Sequence, residues 1–331
     1  MNDPLLSIDS LKVYFPIYKG TFFNRKKERL KAVDGVNLKI EQGEVIGLVG
    51  ESGCGKSTIA RAVMCLTKAT SGSITMEGEI LNKLSPEELK RKRPEFQMVF
   101  QDPYASLNPR MTVYSILSEP LEYHKLVKRS ELAETVSKLL EEVGLAPSDM
   151  GKYPHEFSGG QLQRIAIAKA LALRPKLIIA DEPVSALDVS IRSQVLNLLA
   201  KLIKKHSLTL LFISHDLSVI RHISDRIAVM YLGKIVELGS KDQVYSRPTH
   251  PYTHALLSAV PVPDPDKEKN RERVILQGEP PSPINPPSGC SFHPRCLYRQ
   301  ERCSEQTPVL ESRDDSHSVA CFYPLNSQAV S

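Results

Sequence analysis

Nine residues constrain this chain more than any others. Gly50-Glu51-Ser52-Gly53-Cys54-Gly55-Lys56-Ser57-Thr58 follows the compact apolar run Glu44–Val49 and opens a helical stretch from Lys56. G-x-x-x-x-G-K-[ST] between a strand and a helix dictates a sharp turn whose glycines let backbone N–H groups point inward. Together with the positive end of the following helix, those groups make a cradle for phosphates. Lys56 is placed to reach the β- and γ-phosphates and Ser57 to ligate Mg²⁺. A glycine-rich turn without a ligand would not need Lys56 and Ser57 in this register. Cys54 reads as a small loop residue whose thiol could make the site sensitive to alkylation.

The rest of the chain supplies matching strand ends. Leu177-Ile178-Ile179-Ala180 is a buried-strand run that ends in Asp181, a rigid carboxylate for the Mg²⁺ shell. Glu182 follows, where it can orient or deprotonate an attacking water. Gln101 follows the strand-like Phe96–Phe100, and His215 follows Thr209–Ser214. Alone, Gln101 reads as a surface residue and His215 as a structural histidine. At a strand end each could meet Mg²⁺, water or a γ-phosphate. Alternating β and α signals to about residue 240 argue for an α/β architecture with strands buried on both faces. Residues 112–145 read as helices, Glu131–Val143 most clearly, and Tyr153-Pro154-His155 interrupts them before Phe157-Ser158-Gly159-Gly160-Gln161.

Composition excludes several classes. With 41% hydrophobic and 24% charged residues and a net charge of +5, the chain is ordinary for a globular protein and too weakly basic to argue for nucleic acid. No apolar run approaches the ~18–20 residues that span a bilayer, and the N-terminus lacks a secretory signal pattern. The expectation is a cytosolic chain that reaches a membrane only through partners. The basic stretch Lys19–Lys31 reads as a solvated loop insertion, with contact to phosphates or lipid headgroups as the alternative. Residues 261–290 are rich in Pro and polar residues and read as a linker.

Four of the six cysteines, Cys290, Cys296, Cys303 and Cys321, close the chain with the spacing C-x5-C-x6-C-x17-C. In a reducing compartment such a cluster favours metal over disulfides. Four thiolates suit Zn²⁺ or a [4Fe–4S] cluster, and the spacing lacks the paired C-x2-C of many zinc ribbons and the compact ferredoxin run. Free thiols in a tail remain open. His293 and His317 read as solvent-exposed.

Taken in order, residues 50–58, Gln101, Phe157–Gln161, Asp181-Glu182, Ser185-Ala186-Leu187-Asp188 and His215 resemble the nucleotide-binding domains of ABC transporters over roughly residues 5–260. The resemblance implies an α/β P-loop NTPase of the ABC type. Its parts are a RecA-like core, an antiparallel β subdomain and an α-helical subdomain near 102–170. They fill a domain over 1–260, followed by a linker and a four-cysteine region over 261–331. It implies that ATP and Mg²⁺ are held by Gly50, Ser52, Gly53, Cys54, Gly55, Lys56, Ser57, Thr58, Gln101 and Asp181. Glu182, His215 and Gln101 would serve hydrolysis. Ser158, Gly160 and Gln161 resemble signature residues that contact ATP held by an opposite subunit, and Asp188 resembles a residue crossing that interface. Phe157 stands where the commonest signature has Leu. Phe15 is the first choice for stacking on adenine and Tyr14 the second.

His250-Pro251-Tyr252-Thr253-His254-Ala255-Leu256-Leu257, the Pro-rich run and the cysteine spacing look like the tail of oligopeptide/dipeptide/nickel importer ATPases. The insertion at Tyr18–Lys31 resembles the F-type subunit more than its D-type paralogue. That resemblance implies a peripheral ATPase on the cytoplasmic face of the membrane. Its implied partners are a D-type ATPase in a heterodimer, two transmembrane permease subunits and an external substrate-binding protein, without nucleic acid. Peptide is the implied cargo, with nickel or oligosaccharides as alternatives, and a non-transport ABC ATPase is the competing class. For the tail it favours a [4Fe–4S] cluster over Zn²⁺.

Overall fold

A computed structural model describes residues 3–19, 26–260, 274, 276–314 and 317–325. The linker expected at 261–290 therefore lies partly outside the described residues, as does the centre of the basic stretch, 20–25. The chain divides into two compact units. One comprises Met1–Ile40, Ile46–Asn82 and His215–Ser331; the other comprises Glu41–Val45 and Lys83–Ser214.

The first unit is built on two antiparallel systems and one parallel pair. β1 (Leu6–Lys19) pairs antiparallel with β2 (Lys26–Ile40) and with β4 (Ser71–Met76), and β5 (Glu79–Ile80) completes a sheet in the order β2-β1-β4-β5. Leu6 and Ile8 are buried, as are Leu11 and Val13, while Asp9 and Ser10 between the pairs are exposed. A register shift between Ile8 and Leu11, with Ser10 at φ 47°, resets the alternation so that both pairs face the core. β1 and β2 remain paired out to Lys19 opposite Lys26. The described residues of the basic stretch, Lys19 and Lys26–Lys31, are strand, a correction to the loop expected there. The charged residues at the start of β2 hide the period-two signal that identifies strands.

In the same unit β3 (Val45–Val49, all but its first residue) runs parallel to β9 (Arg226–Tyr231). β9 pairs antiparallel with β10 (Lys234–Ser240), β10 with β12 (His317–Val319), and β12 with β11 (Glu311–Asp314). β3 is buried along its whole length, as expected where both faces of a sheet are covered. α1 (Lys56–Val63) leaves β3 through the glycine-rich loop.

The second unit carries β6 (Phe96–Val99), β7 (Leu177–Asp181) and β8 (Thr209–Ser214), parallel in the order β8-β7-β6. Its helices include α2 (Pro86–Lys92), α3 (Pro103–Ser106), α4 (Val113–Tyr123), α5 (Leu132–Glu142), α6 (Gly159–Ala172) and α7 (Val189–His206). On α5 the buried residues Leu132, Val136 and Leu140 recur every fourth position, the stripe of a helix with one covered face. Leu121, Leu132 and Ala172 form a shared core of α4, α5 and α6.

The C-terminal region is more ordered than its sequence suggests. Phe292 and Val319 are buried, and β12 extends the sheet from β10. His317, expected on the surface, is buried: its Nε2 lies 2.7 Å from Glu237 Oε1. Glu237 is wholly buried and also accepts the N–H groups of Thr249 (2.8 Å) and His250 (2.9 Å). Burial alone would raise its pKa, but the bonds from His317, Thr249 and His250 outweigh that and hold it below the ordinary carboxylate value. A histidine alone in sequence can be buried when a carboxylate eighty residues away receives it.

Candidate active site

In the first unit the glycine-rich loop is shaped by close backbone approach. Gly55 has φ +110°, and a Cβ there would lie 2.1 Å from the carbonyl oxygen of Ala32. Lys56 is buried and donates from Nζ to the carbonyls of Gly50 (2.7 Å) and Glu51 (3.0 Å). The Cys54 carbonyl accepts the N–H of Gly233 at 2.9 Å, which ties the loop to the β9–β10 turn. Burial pushes the Cys54 thiol above its ordinary pKa, so it is a poorer nucleophile than an exposed cysteine. Ser52, Gly53 and Ser57 are exposed and Thr58 half-buried.

Also in this unit, Phe15 on β1 presents an exposed ring. The Tyr14 hydroxyl donates to Asp34, and burial followed by that bond raises its pKa. Tyr14 is therefore the less available of the two rings. His215, just beyond β8, is exposed.

In the second unit, Gln101 and Glu182 meet: Gln101 Nε2 donates to Glu182 Oε2 at 3.2 Å. Asp181 is buried at the end of β7. Glu182 has φ 48°, a left-handed backbone that a residue with a branched or long side chain seldom adopts. Its N–H is held by the carbonyl of Ile213 at 3.0 Å. A strained backbone next to a buried strand-end carboxylate marks a place where side-chain aim outweighs local preference.

The Ser158–Gln161 turn has a simple local logic. Ser158 is the N-cap of α6 and accepts the Gln161 N–H at 3.4 Å, while Gln161 Oε1 accepts the Ser158 N–H at 3.0 Å. S-x-x-Q is thus a reciprocal capping box, and Gln161 acts here on the backbone. Gly160 is buried against α7, where a Cβ would lie 2.3 Å from Ile191 Cγ2. Ser158 and Gln161 remain exposed, as does Asp188 at the start of α7.

The four C-terminal cysteines line one small cavity together with Phe292 and Phe322. The Cys290 N–H donates to the Cys303 carbonyl at 2.8 Å. Burial, followed by the proximity of the other thiols, pushes Cys296 up to about 11 and Cys321 up to about 12. Among the described residues, no group of three or more His, Cys, Asp or Glu side chains is arranged to hold a metal ion. His293 lies half-buried with Nδ1 2.9 Å from the Cys290 carbonyl.

Sequence reasoning missed two residues that touch the glycine-rich loop. Tyr252 Oη accepts the Glu51 N–H at 2.9 Å, and Arg295 forks onto the Glu51 carboxylate at 2.8 and 3.1 Å. Neither carries a local pattern that announces such a contact, for each lies more than two hundred residues from Glu51.

Comparison with known proteins agrees with this arrangement. Residues 33–185 match the family model for "ABC transporter", and residues 236–303 match "Oligopeptide/dipeptide transporter, C-terminal region". The chain is 56% identical over 320 residues to the oligopeptide transport ATP-binding protein OppF of Escherichia coli, covering 96% of each chain. It is 55% identical to the oligopeptide transport ATP-binding protein AppF of Bacillus subtilis and 49% identical to the dipeptide transport ATP-binding protein DppF of Haemophilus influenzae, in each case over 97% of both chains. Among solved structures, the ATP-binding cassette MJ0796, bound to ADP and Pi as a dimer, superposes with a TM-score of 0.63 at 29% identity. It covers 71% of this chain and 98% of its own. Among the described residues no helix is long and apolar enough to cross a membrane. With similarity running the full length of these relatives, the chain belongs to the ATP-binding subunits of ABC transporters of the oligopeptide/dipeptide type.

Proposed function

We propose that this chain is an ATPase subunit that energises uptake of peptides through an ABC importer. The observation that carries the reading is the 56% identity spanning 96% of both this chain and an oligopeptide transport ATP-binding protein. Peptide is favoured over nickel or oligosaccharides because the matched C-terminal region and the similar proteins are named for oligopeptides and dipeptides.

Hydrolysis in this reading is positioning and charge neutralisation. Gly50, Ser52, Gly53, Cys54, Gly55 and Thr58 wrap the phosphates with backbone N–H groups, and Lys56 turns its ammonium from the loop carbonyls to the β- and γ-phosphates. Ser57, Gln101 and Asp181 are the residues that would hold Mg²⁺, which would supply charge to offset that of the phosphates. Glu182 orients the attacking water and accepts its proton, and the bond from Gln101 Nε2 keeps the carboxylate aimed. His215 meets the γ-phosphate, and Phe15 stacks on adenine. The exposed Ser158 and the helix N-terminus it caps, with Gly160, face an ATP held by a second ATPase subunit, a D-type paralogue. Two permease subunits and an external binding protein complete the importer, with this chain peripheral on the cytoplasmic side.

The cysteine cavity belongs to the same reading. Cys290, Cys296, Cys303 and Cys321 would ligate a [4Fe–4S] cluster, with Zn²⁺ as the second choice, and the metal would fasten the C-terminal segment without taking part in hydrolysis. Four thiols around one cavity support it, with Cys290, Cys296 and Cys321 raised by burial and by neighbouring thiols, since a cation there would relieve both effects. Iron, sulfide and zinc analysis of anaerobically purified protein tests this part.

Glu182→Gln tests the whole. The variant should retain ATP and lose nearly all turnover. Hydrolysis at the wild-type rate would refute the assignment. Peptide uptake by cells in which this chain replaces the resident oligopeptide ATPase subunit tests the cargo.

A further inference from the structure

Glu51 is the second residue of the glycine-rich loop and is held from three directions. Its carboxylate receives both Nη atoms of Arg295, at 2.8 and 3.1 Å. Its N–H donates to Tyr252 Oη at 2.9 Å, and its carbonyl accepts Lys56 Nζ at 3.0 Å. The groups behind it are buried and rigid. The Arg295 side chain is 6% exposed and its guanidinium lies 6.0 Å from the centre of the Tyr231 ring. Tyr231, Tyr252 and Phe292 form a ring cluster with centroids 4.7 to 5.4 Å apart. Arg295 directly precedes Cys296, one of the four thiols around the cavity. All these residues belong to the first unit.

A carboxylate in a loop built to collect anions is a paradox. Left bare, it would repel the phosphates that the loop amides and Lys56 attract. A planar guanidinium matched to both carboxylate oxygens cancels that charge and fixes the loop's second residue, which a flexible ammonium could not do as well. Burial on the far side restrains the arginine from swinging away to solvent.

We propose that the C-terminal region acts as a brace for the phosphate loop, with Arg295 the positioning residue that neutralises and orients Glu51, so that nucleotide affinity is set by a segment more than two hundred residues downstream. Arg295 touches neither substrate nor metal in this role; it works through Glu51. Tyr252 provides the second grip, and the aromatic cluster transmits the order of the cysteine-bearing segment to both. The inference rests on the reading of residues 50–58 as an ATP site.

The test measures MgATP affinity of the full-length chain, and kcat and KM of the assembled transporter, for the wild type, Arg295→Met, Arg295→Lys, Glu51→Gln and the double variant Glu51→Gln/Arg295→Met. Arg295→Met should weaken ATP binding about tenfold, raising KM more than it lowers kcat. Removing the unmasked carboxylate should rescue it, so the double variant binds more tightly than Arg295→Met alone. Arg295→Lys, which keeps the charge and loses the fork, should fall between wild type and Arg295→Met. If Arg295→Met does not fold, Arg295→Lys carries the test: weaker binding at an unchanged Tm supports the brace. Wild-type affinity in both arginine variants, or a double variant no tighter than Arg295→Met, overturns it. Failure of the wild type itself to bind MgATP would instead overturn the nucleotide reading.

Discussion

The phosphate loop and the Ser158–Gln161 turn are both short, glycine-bearing and set at the N-terminus of a helix, yet they are held in opposite ways. The loop takes its shape from distant chain: the Ala32 carbonyl behind Gly55, Gly233 on the Cys54 carbonyl, and Tyr252 and Arg295 on Glu51. The turn fixes itself through bonds between Ser158 and Gln161, three residues apart. A loop clamped from elsewhere can respond to events elsewhere in the fold. A self-capped turn owes its form mainly to its own residues, which suits the role proposed for it against a second subunit.

The contrast can be broken most forcefully at the far end of the clamp. Glu237→Ala removes the carboxylate that gathers His317 and the N–H groups of Thr249 and His250, and should cost about 3–5 kcal/mol in denaturant unfolding. A loss below about 1 kcal/mol would mean that the C-terminal segment is not anchored there.

Acid attacks the same region next. Burial lowers the pKa of His250 from 6.5 to about 4, and its Nδ1 accepts the Tyr252 N–H at 3.1 Å, so the folded chain keeps the ring neutral. The unfolded chain takes up the proton first. The contribution is therefore complete above pH 6.5 and declines as pH falls toward 4, by roughly 3 kcal/mol in all. Unfolding free energies measured across that range should show the fall, and His250→Asn should flatten it.

A milder break is Tyr252→Phe, which keeps the ring and removes the acceptor of the Glu51 N–H. It should cost about 1–2 kcal/mol and speed exchange of the loop amides, measured by hydrogen–deuterium exchange. The smallest effect belongs to the turn. Ser158→Ala should lower stability by about 1 kcal/mol through the lost cap, and fraying seen by exchange should stay within the first turn of α6.

The same contrast explains what the sequence made legible. Local features were readable because their signals lie within a few residues of one another. The loop at 50–58, the strand ending in Asp181-Glu182, Thr209–Ser214, and α5 at Leu132–Glu142 against the expected Glu131–Val143 all have this character. Residues that act across the fold were not readable. Arg295 carries no pattern that sets it apart in the sequence, Tyr252 enters only as part of the His250–Leu257 segment, and His317 reads as a surface histidine. Each acquires its meaning from a partner that folding brings close, Glu51 for the first two and Glu237 for the third. The start of β2 was hidden for a different reason, since the charged residues of Lys26–Lys31 leave no apolar alternation to detect.

Residue 182 sits where the demands of folding and of chemistry separate. At φ 48° a glycine would be more comfortable than the glutamate found there. Glu182→Gly should thus relax the local backbone at the moment it deletes the carboxylate that the proposed mechanism uses to activate water. Selection for stability alone would drift toward that variant. Under the proposed mechanism, a position that strains its own backbone to keep a carboxylate records what the chain is kept for.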